Sequence, residues 1–459
     1  MSLIGIDVGT SFIKGALLDT EACRLEHVIR VPFPEPLALG QSFRIEYDAY
    51  SVLKSVRLII DELGDAGSPC EGVIMCTQMA SMVLANEAGE ALSNCIGWRD
   101  QRTTMPRPGH PGTWHQAVEE RLAQYRQELG NELPPGSPAC FLFWLHEQNL
   151  LSGAAIPLTL ANFILCNLCA AKPTVDATNA LAYGLLDIEK REWHQNAIRE
   201  LHLENVQWPE IVNDEAVVGS MKIRNHSIPC FAPVGDYQCA LVGTMVATRE
   251  LSLNISTGSQ VSRITERLEK GNYQTRPFFE KTFANTLSHL PAGRALNVLV
   301  DLVTEIERKR DGSSRDPWEY IKQAAFAAQD TDLDVTTTFF AGPCGDRGSI
   351  ANIREGNLTV GTLFRSAFND ISRNYYDCAL RIWPECSWEN LVISGGLGRK
   401  LPLLQEMIRD RFQSSIRLCR SEEDALLGLL ILGMKFQGSV SKLQQAMDLV
   451  MESTDLDIE

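Results

Sequence analysis

The run Ile4-Gly5-Ile6-Asp7-Val8-Gly9-Thr10-Ser11, with Lys14 three residues further on, constrains this chain more than any other stretch. Apolar residues alternate into a carboxylate and then meet a glycine and two hydroxyls, which predicts a strand ending in a tight turn. Such a turn suits an anion. Gly9 removes the side chain that would hold phosphate away, Thr10 and Ser11 offer backbone N–H and hydroxyl donors, Lys14 adds a point charge, and Asp7 can hold Mg²⁺ through water. Asp-x-Gly is equally a common hairpin turn, with Phe12 to Leu18 as the returning strand. A Walker A loop is excluded, because neither the GxxxxGK[ST] spacing nor a helix directly behind it is present.

At 459 residues the chain exceeds the size at which one core stops growing, so two domains of about 200 residues or more are expected, with a ligand cleft between them. A net charge of −16 argues against a nucleic-acid surface, and the short basic run Glu307-Arg308-Lys309-Arg310 reads as a solvated loop. A nucleotide would need local positive potential, for which Lys14, Arg99, Arg102 and Arg399 are candidates. Ala425 to Met434 is about half the length that spans a bilayer, and no signal-peptide pattern precedes Ile4, so a cytoplasmic protein without a membrane partner is expected. The thirteen cysteines are scattered and odd in number, as for reduced, buried thiols. Cys166-x-x-Cys169 lies in an apolar run that reads as helix core. The eight histidines show no ligand spacing for zinc.

Apolar residues at Val52, Leu53, Val56, Ile59, Ile60 and Leu63 predict a helix over 48–63, and Gly72 to Cys76 a short buried strand. Prolines then bracket a polar helical stretch from Trp114 to Leu129, and a helix-rich region follows from Phe141 to Leu201. Ile228 to Pro233 is strand-like and leads to Gly235-Asp236-Tyr237-Gln238, with a small-residue helix over 240–248. Leu251 to Ser259 repeats the opening theme of a strand running into glycine and hydroxyls, which places a domain boundary near residue 246. Leu391 to Ser394 is a buried strand that breaks at Gly395-Gly396 before a helix over 403–412. After the strand Ser415 to Cys419, Ser421 and Asp424 have the spacing of a capping box. Strands alternating with helices indicate an α/β fold, and a Gly-Gly at the carboxyl end of a strand is where such sheets bind ligands.

Three clusters carry chemistry. Asp236, beside a glycine and between a strand and a helix, suits a general base that accepts a hydroxyl proton during phosphoryl transfer; it equally suits an N-cap. Trp98-Arg99-Asp100-Gln101-Arg102, preceded by Gln78-Met79, offers an indole face with donors and acceptors for a polyol, or else simple surface charge pairing. The two glycine-hydroxyl turns form the third.

Taken in chain order, Asp7-Val8-Gly9-Thr10-Ser11, Gln78-Met79, Trp98 to Arg102, Asp176-Ala177-Thr178-Asn179-Ala180, Gly235-Asp236-Tyr237-Gln238, Ser256-Thr257-Gly258 and Ser394-Gly395-Gly396 resemble the FGGY carbohydrate kinases over nearly the whole chain. The resemblance implies two ribonuclease-H-like domains of the actin and sugar-kinase superfamily, 1–245 and 246–459, closing around ATP and a sugar. It implies Asp236 as catalytic base and Asp7 with Asp236 near Mg²⁺. Thr10, Ser11, Lys14, Thr257 and Gly258 are implied at the phosphates, and Gly395 and Gly396 on the adenine side. Gln78, Met79, Trp98, Asp100 and Asp236 would line the sugar pocket. A sugar and ATP are the implied partners, with no nucleic acid, and a homodimer is compatible with the resemblance.

Within the family, Asn254-Ile255-Ser256-Thr257, the Gly-Asp-x-Gln form of the base motif, Phe143-Trp144-Leu145 with Phe141 where many relatives carry lysine, and Gly345-Asp346-Arg347 are similar to the sedoheptulokinase-like branch. That implies conversion of sedoheptulose to its 7-phosphate. Xylulose, ribulose or another polyol as acceptor, and a catalytically silent sensor, are the alternatives. The family's Gly-Gln-Met-His-Gly segment is Thr77-Gln78-Met79-Ala80-Ser81 here, so the pocket departs from its relatives where the sugar would be read.

Overall fold

The computed structural model describes residues 2–66, 70–311 and 316–453. Two similar sheets dominate it. The first is built from β1 (Ser2–Val8), β2 (Phe12–Asp19), β3 (Arg24–Pro32), β4 (Cys70–Thr77), β5 (Val217–Ile223) and β6 (His226–Phe231), in the order β5-β6-β4-β1-β2-β3. β1 and β2 form an antiparallel hairpin with Asp7 opposite Lys14, and β4 runs parallel to β1 on its other side. The helix α1 (Ala49–Ala66) joins β3 to β4 and buries Val52, Val56, Ile59, Ile60 and Leu63 on one face, each worth roughly 1.5–3 kcal/mol of removed apolar surface. Two further residues, Val234 and Gly235, extend the pairing along β4 before the chain enters α2 (Asp236–Gly243).

The second sheet repeats this plan. β7 (Glu250–Asn254) and β8 (Ser259–Thr265) form a hairpin, β9 (Gln274–Pro277) and β10 (Phe283–Leu290) extend it, and α3 (Val360–Ile382) leads to β11 (Asn390–Ser394), parallel to β7. β12 (Ser415–Leu418) pairs with β11, and α4 (Asp424–Phe436) follows, as α2 follows the first sheet. The order is β9-β10-β8-β7-β11-β12. In sequence α4 belongs to the second half, yet it packs on the first sheet: a Cβ on Gly433 would stand 2.5 Å from the Leu3 side chain. One core therefore unites Leu3, Ile74 and Cys76 with Leu426 to Leu432.

α2 and α4 cross with their backbones in contact. A Cβ on Gly243 would lie 1.8 Å from the Asp424 carbonyl oxygen, and one on Gly428 would lie 2.0 Å from that of Cys239. Only glycine fits either place.

Several local expectations need correction. The helix expected from Ala240 begins four residues earlier, at Asp236. The stretch from Trp114 is α-helical only to Leu122, with a 3₁₀ turn over Ala123–Tyr125. The region from Phe141 to Leu201 contains helices at Pro138–Glu147 and Leu160–Cys169 but also the strands Ile156–Thr159 and Thr174–Asp176. Residues 307–310 fall inside the helix Gly293–Asp311 rather than in a loop. Ser421 accepts from the Glu423 N–H, and Glu423 is the N-cap of α4, so no capping box forms with Asp424. Among the described residues no helix is long and apolar enough to cross a membrane.

Candidate active site

Gly235 occupies the N-cap position of α2, and Asp236 is the helix's first residue with one carboxylate oxygen accepting the Tyr237 N–H at 2.8 Å. The base motif therefore leaves Asp236 facing a cavity instead of capping the helix. Two anchors hold it there: Thr178 Oγ accepts the Gly235 N–H at 2.8 Å, and Asn179 donates to the Pro233 carbonyl at 2.8 Å. Asp176 caps the short helix that carries both, accepting from the amides of Thr178 and Asn179.

The cavity beside Asp236 has a volume of about 280 Å³ and draws its walls from both halves of the chain. Thr10, Gln78, Met79, Ala80 and Trp98 line it from the first half; Gly258, Gln260, Arg276, Ser288 and His289 line it from the second. Trp98 Nε1 donates to Thr10 Oγ at 3.2 Å, which fastens the indole to the first turn. Gly136 lets it sit there, since a Cβ would fall 1.9 Å from the Trp98 carbonyl oxygen. The Gln78 side-chain nitrogen is buried without a partner among the described residues, so it has a donor to offer a ligand.

The first turn is a genuine hairpin, with Gly9 N–H donating to the Phe12 carbonyl at 3.0 Å. The second is held by Ser256 Oγ donating to Asn254 and Ser259 Oγ donating to the Ser256 carbonyl, both at 2.6 Å. Nothing stands within 4 Å of a Cβ on Gly258. Gly258 lines the cavity at Asp236, while its neighbour Thr257 lines a second cavity of about 430 Å³ with Gly396, Trp318, Lys322 and Lys400. Gly395 lies behind it at φ +84°, where a Cβ would meet the Ile255 carbonyl oxygen at 2.6 Å, so it lets β11 press against the second turn.

Asp7 and Asp424 lie close enough to Asp236 for their charges to act on it. Burial first, and then the Asp7 charge, push the Asp236 carboxyl up to about 7; the Tyr237 N–H and Arg276 oppose the rise. Burial and Asp7 likewise lift Asp424 to about 6, and burial raises Asp7. Three buried carboxylates that disfavour one another's charge are relieved by a divalent cation. Their oxygens do not converge for direct shared ligation: among the described residues, the one group with all donor atoms within 4.8 Å is Glu128, Asp187 and His194. That group is internally occupied, with Asp187 paired to Lys190 at 2.6 Å and His194 bonded to Glu128 at 2.8 Å. Residues Asp7 and Asp236 thus fit Mg²⁺ held through water or through phosphate oxygens.

Three expected site residues do not take the places expected of them. Asp100 is fully buried and does not reach the cavity; its oxygens accept from Arg102 Nε and Nη2 and from the Ile45 N–H, all at 2.8 Å. Its charge is matched by Arg102 inside the protein, where sugar hydroxyls have no access. Lys14 is not a free cation either: its Nζ sits 2.6 Å from Glu423 and 3.7 Å from Asp7. Ser11 is exposed and lines neither cavity.

The structure adds residues that no motif marked. Arg276 makes a two-pronged pair with Glu132 at 2.8 and 3.1 Å across the cleft, with its guanidinium 4.3 Å from the Tyr237 ring centroid. The partners are 144 residues apart in sequence, so no local pattern announces them. His289, at φ +63°, is held towards the neutral form by burial and then by Arg276.

Two hairpin sheets of this kind, with a carboxylate cluster and two glycine-hydroxyl turns at a shared cleft, define a sugar-kinase fold. The model of the FGGY family of carbohydrate kinases, N-terminal domain, matches residues 2–243, more than half of the chain, and the protein belongs to that family. It is a carbohydrate kinase. Human sedoheptulokinase is 22% identical over 88% of this chain and 92% of its own length. A xylulose kinase of Lactococcus lactis is 23% identical over 56% of this chain and 52% of its own. Among solved structures, Plasmodium falciparum glycerol kinase with ADP superposes with a TM-score of 0.82 at 18% identity, covering 99% of this chain and 94% of that one.

Proposed function

We propose that this protein transfers the γ-phosphoryl group of ATP to a terminal primary hydroxyl of a ketose, with sedoheptulose as the first candidate and sedoheptulose 7-phosphate as product. The observation that carries the reading is the placement of Asp236: its carboxylate faces a cavity of about 280 Å³, and the second turn separates that cavity from one of about 430 Å³. A sugar in the smaller cavity and a nucleotide in the larger would meet across Gly258 and Thr257. Residues 1–245 would supply the sugar pocket and first turn, and 246–459 the nucleotide pocket.

Gln78 and Trp98 would orient the sugar, the indole covering an apolar ring face and the unpartnered amide donating to a hydroxyl. Asp236 accepts the proton of the attacking hydroxyl as its oxygen bonds to the γ-phosphorus and the bond to the β-phosphate bridging oxygen breaks, leaving ADP. Thr10, Thr257 and Gly258 offer donors along the phosphate path. Mg²⁺ near Asp7 and Asp236 supplies charge neutralisation at the phosphates. Closing the Glu132–Arg276 wall keeps water from competing for the phosphoryl group.

Sedoheptulose rests on the relative that spans 88% of the chain. Xylulose rests on the Lactococcus relative, over 56% of the chain. ADP release measured against sedoheptulose, xylulose, ribulose, gluconate and glycerol separates these, the best acceptor being the one with the highest kcat/KM. No turnover with any of them would leave the sensor reading in place, and ATP hydrolysis independent of sugar would defeat the acceptor assignment.

A further inference from the structure

A cavity larger than the one at Asp236 lies elsewhere in the described structure. It has a volume of about 720 Å³ and lies behind the base loop, on the far side of the short helix Ala177–Ala180. Its aromatic wall is Trp208 packed against Trp193, with ring centroids 5.0 Å apart and planes inclined at 43°, backed by Tyr183. Trp193 Nε1 is satisfied by the Pro209 carbonyl at 2.8 Å, whereas Trp208 Nε1 is buried with no partner among the described residues. A buried indole N–H without an acceptor is uncommon and calls for one.

The charges around this cavity argue for a neutral ligand. Asp214, Glu192 and Glu210 stand against Lys190, Arg191 and Lys281. Lys190 is paired with Asp187 at 2.6 Å, and Arg191 donates to the carbonyls of Phe278 and Thr282 at 2.9 and 3.2 Å. An anion would meet four carboxylates, Asp176 included, with Lys281 as the cation least engaged. Aromatic faces, scattered acceptors and one unsatisfied donor are instead the requirements of a polyol.

We propose that the cavity formed by Trp193, Trp208, Asp214 and Thr178 is a second binding site, for an uncharged carbohydrate, that acts on the catalytic site through the base loop. The route is short. Thr178 lines the cavity and its Oγ holds the Gly235 N–H, one residue before Asp236. The Arg191 contacts to Phe278 and Thr282 place the same cavity at the seam between the two halves, so an occupant bears on their relative position as well.

The test uses the full chain labelled with 5-fluorotryptophan, each fluorine resonance being assigned by single Trp→Phe substitution. Glucose, glucitol and sedoheptulose are titrated, with inorganic phosphate as the anion probe. At least one neutral probe should shift the Trp208 resonance saturably, on a concentration scale independent of any shift at Trp98, which reports the sugar pocket at Asp236. Glu210→Ala or Lys281→Ala, both at the exposed rim, should weaken that second response and leave turnover without the probe unchanged. In wild type the bound probe should change kcat at saturating sugar and ATP by about fivefold or more, within the usual range of coupling between sites. A Trp208 resonance that no neutral probe moves, or that only phosphate moves, overturns the site or its ligand class. Saturable binding with unchanged kcat overturns the coupling through Thr178. Because the fluorine signal does not depend on turnover, its failure is distinguishable from a failure of the assigned reaction.

Discussion

The first and second glycine-hydroxyl turns have the same backbone plan and different electrostatics. Behind the first stand Asp7 and Glu423, buried, with half-buried Lys14 reaching both, at 3.7 and 2.6 Å. The second is held by hydrogen bonds among neutral groups: Asn254, Ser256, Ser259 and the Tyr375 hydroxyl, which donates to the Asn254 carbonyl at 2.6 Å. The duplicated architecture has therefore kept its geometry and divided its chemistry. Buried charge collects at the first sheet and α2, while the second turn is held by neutral hydrogen bonds.

The sharpest way to break that contrast is Asp236→Asn. Loss of a positioned base costs about 10²–10⁴ in kcat, and sugar affinity measured calorimetrically should survive. Near-normal turnover would remove Asp236 from its role. Asp100→Asn should act on a different quantity. Breaking a buried pair costs about 3–5 kcal/mol, so thermal unfolding should shift strongly downward while the KM for sugar in the folded fraction holds. A raised KM with unchanged stability would restore Asp100 to the sugar pocket.

Those two aspartates also show what was legible in the sequence. The turns, the base loop and the order of motifs are local patterns, and they suffice to predict the first hairpin, the strand and turn of the second, and the family. Asp100 lies beside Trp98 in the chain, but its partners are Arg102 and the Ile45 amide, and the fold turns it inward to them. Lys14 was readable as a cation, whereas Glu423, 409 residues away, was not readable as its partner. Nor was Arg276 with Glu132. Long-range charge pairing leaves no periodicity to detect, and so the cleft's latch came only from the structure.

The pH dependence follows from the crowding of the first sheet. Asp236 must be ionised to accept a proton, and its carboxyl sits at about 7 against an ordinary 3.8, so kcat/KM should rise as pH increases through neutrality. Stability should move in the opposite sense. The folded state binds this proton more tightly than the unfolded chain, so stability is full below the unfolded value and is lost as pH rises to the folded one. At about pH 8, Asp236→Asn should unfold later than wild type by about 1–3 kcal/mol, and the difference should vanish in acid. Mg²⁺ should narrow that difference by stabilising wild type. An Asn variant less stable than wild type at alkaline pH would contradict the electrostatic account.

The second turn is best probed through its packing. Gly395→Ala places a Cβ against the Ile255 carbonyl at a positive φ, and it should cost about 1–3 kcal/mol and raise the KM for ATP. The smallest effect is expected at Ala80, a non-glycine residue at φ +67° on the wall of the sugar cavity. Ala80→Gly should gain about 1 kcal/mol in denaturant unfolding, because glycine adopts that backbone without strain. A loss would show that the Ala80 methyl packs better than its backbone strains.

The glycine crossing of α2 and α4 bears on how such a molecule can move. Where two helices touch backbone to backbone at glycines, the contact is suited to act as an axle rather than a sliding surface. Asp236 and Asp424 begin the two helices that form it. Points near an axle travel least when the parts it joins rotate, so the carboxylates can stay in register through opening and closing.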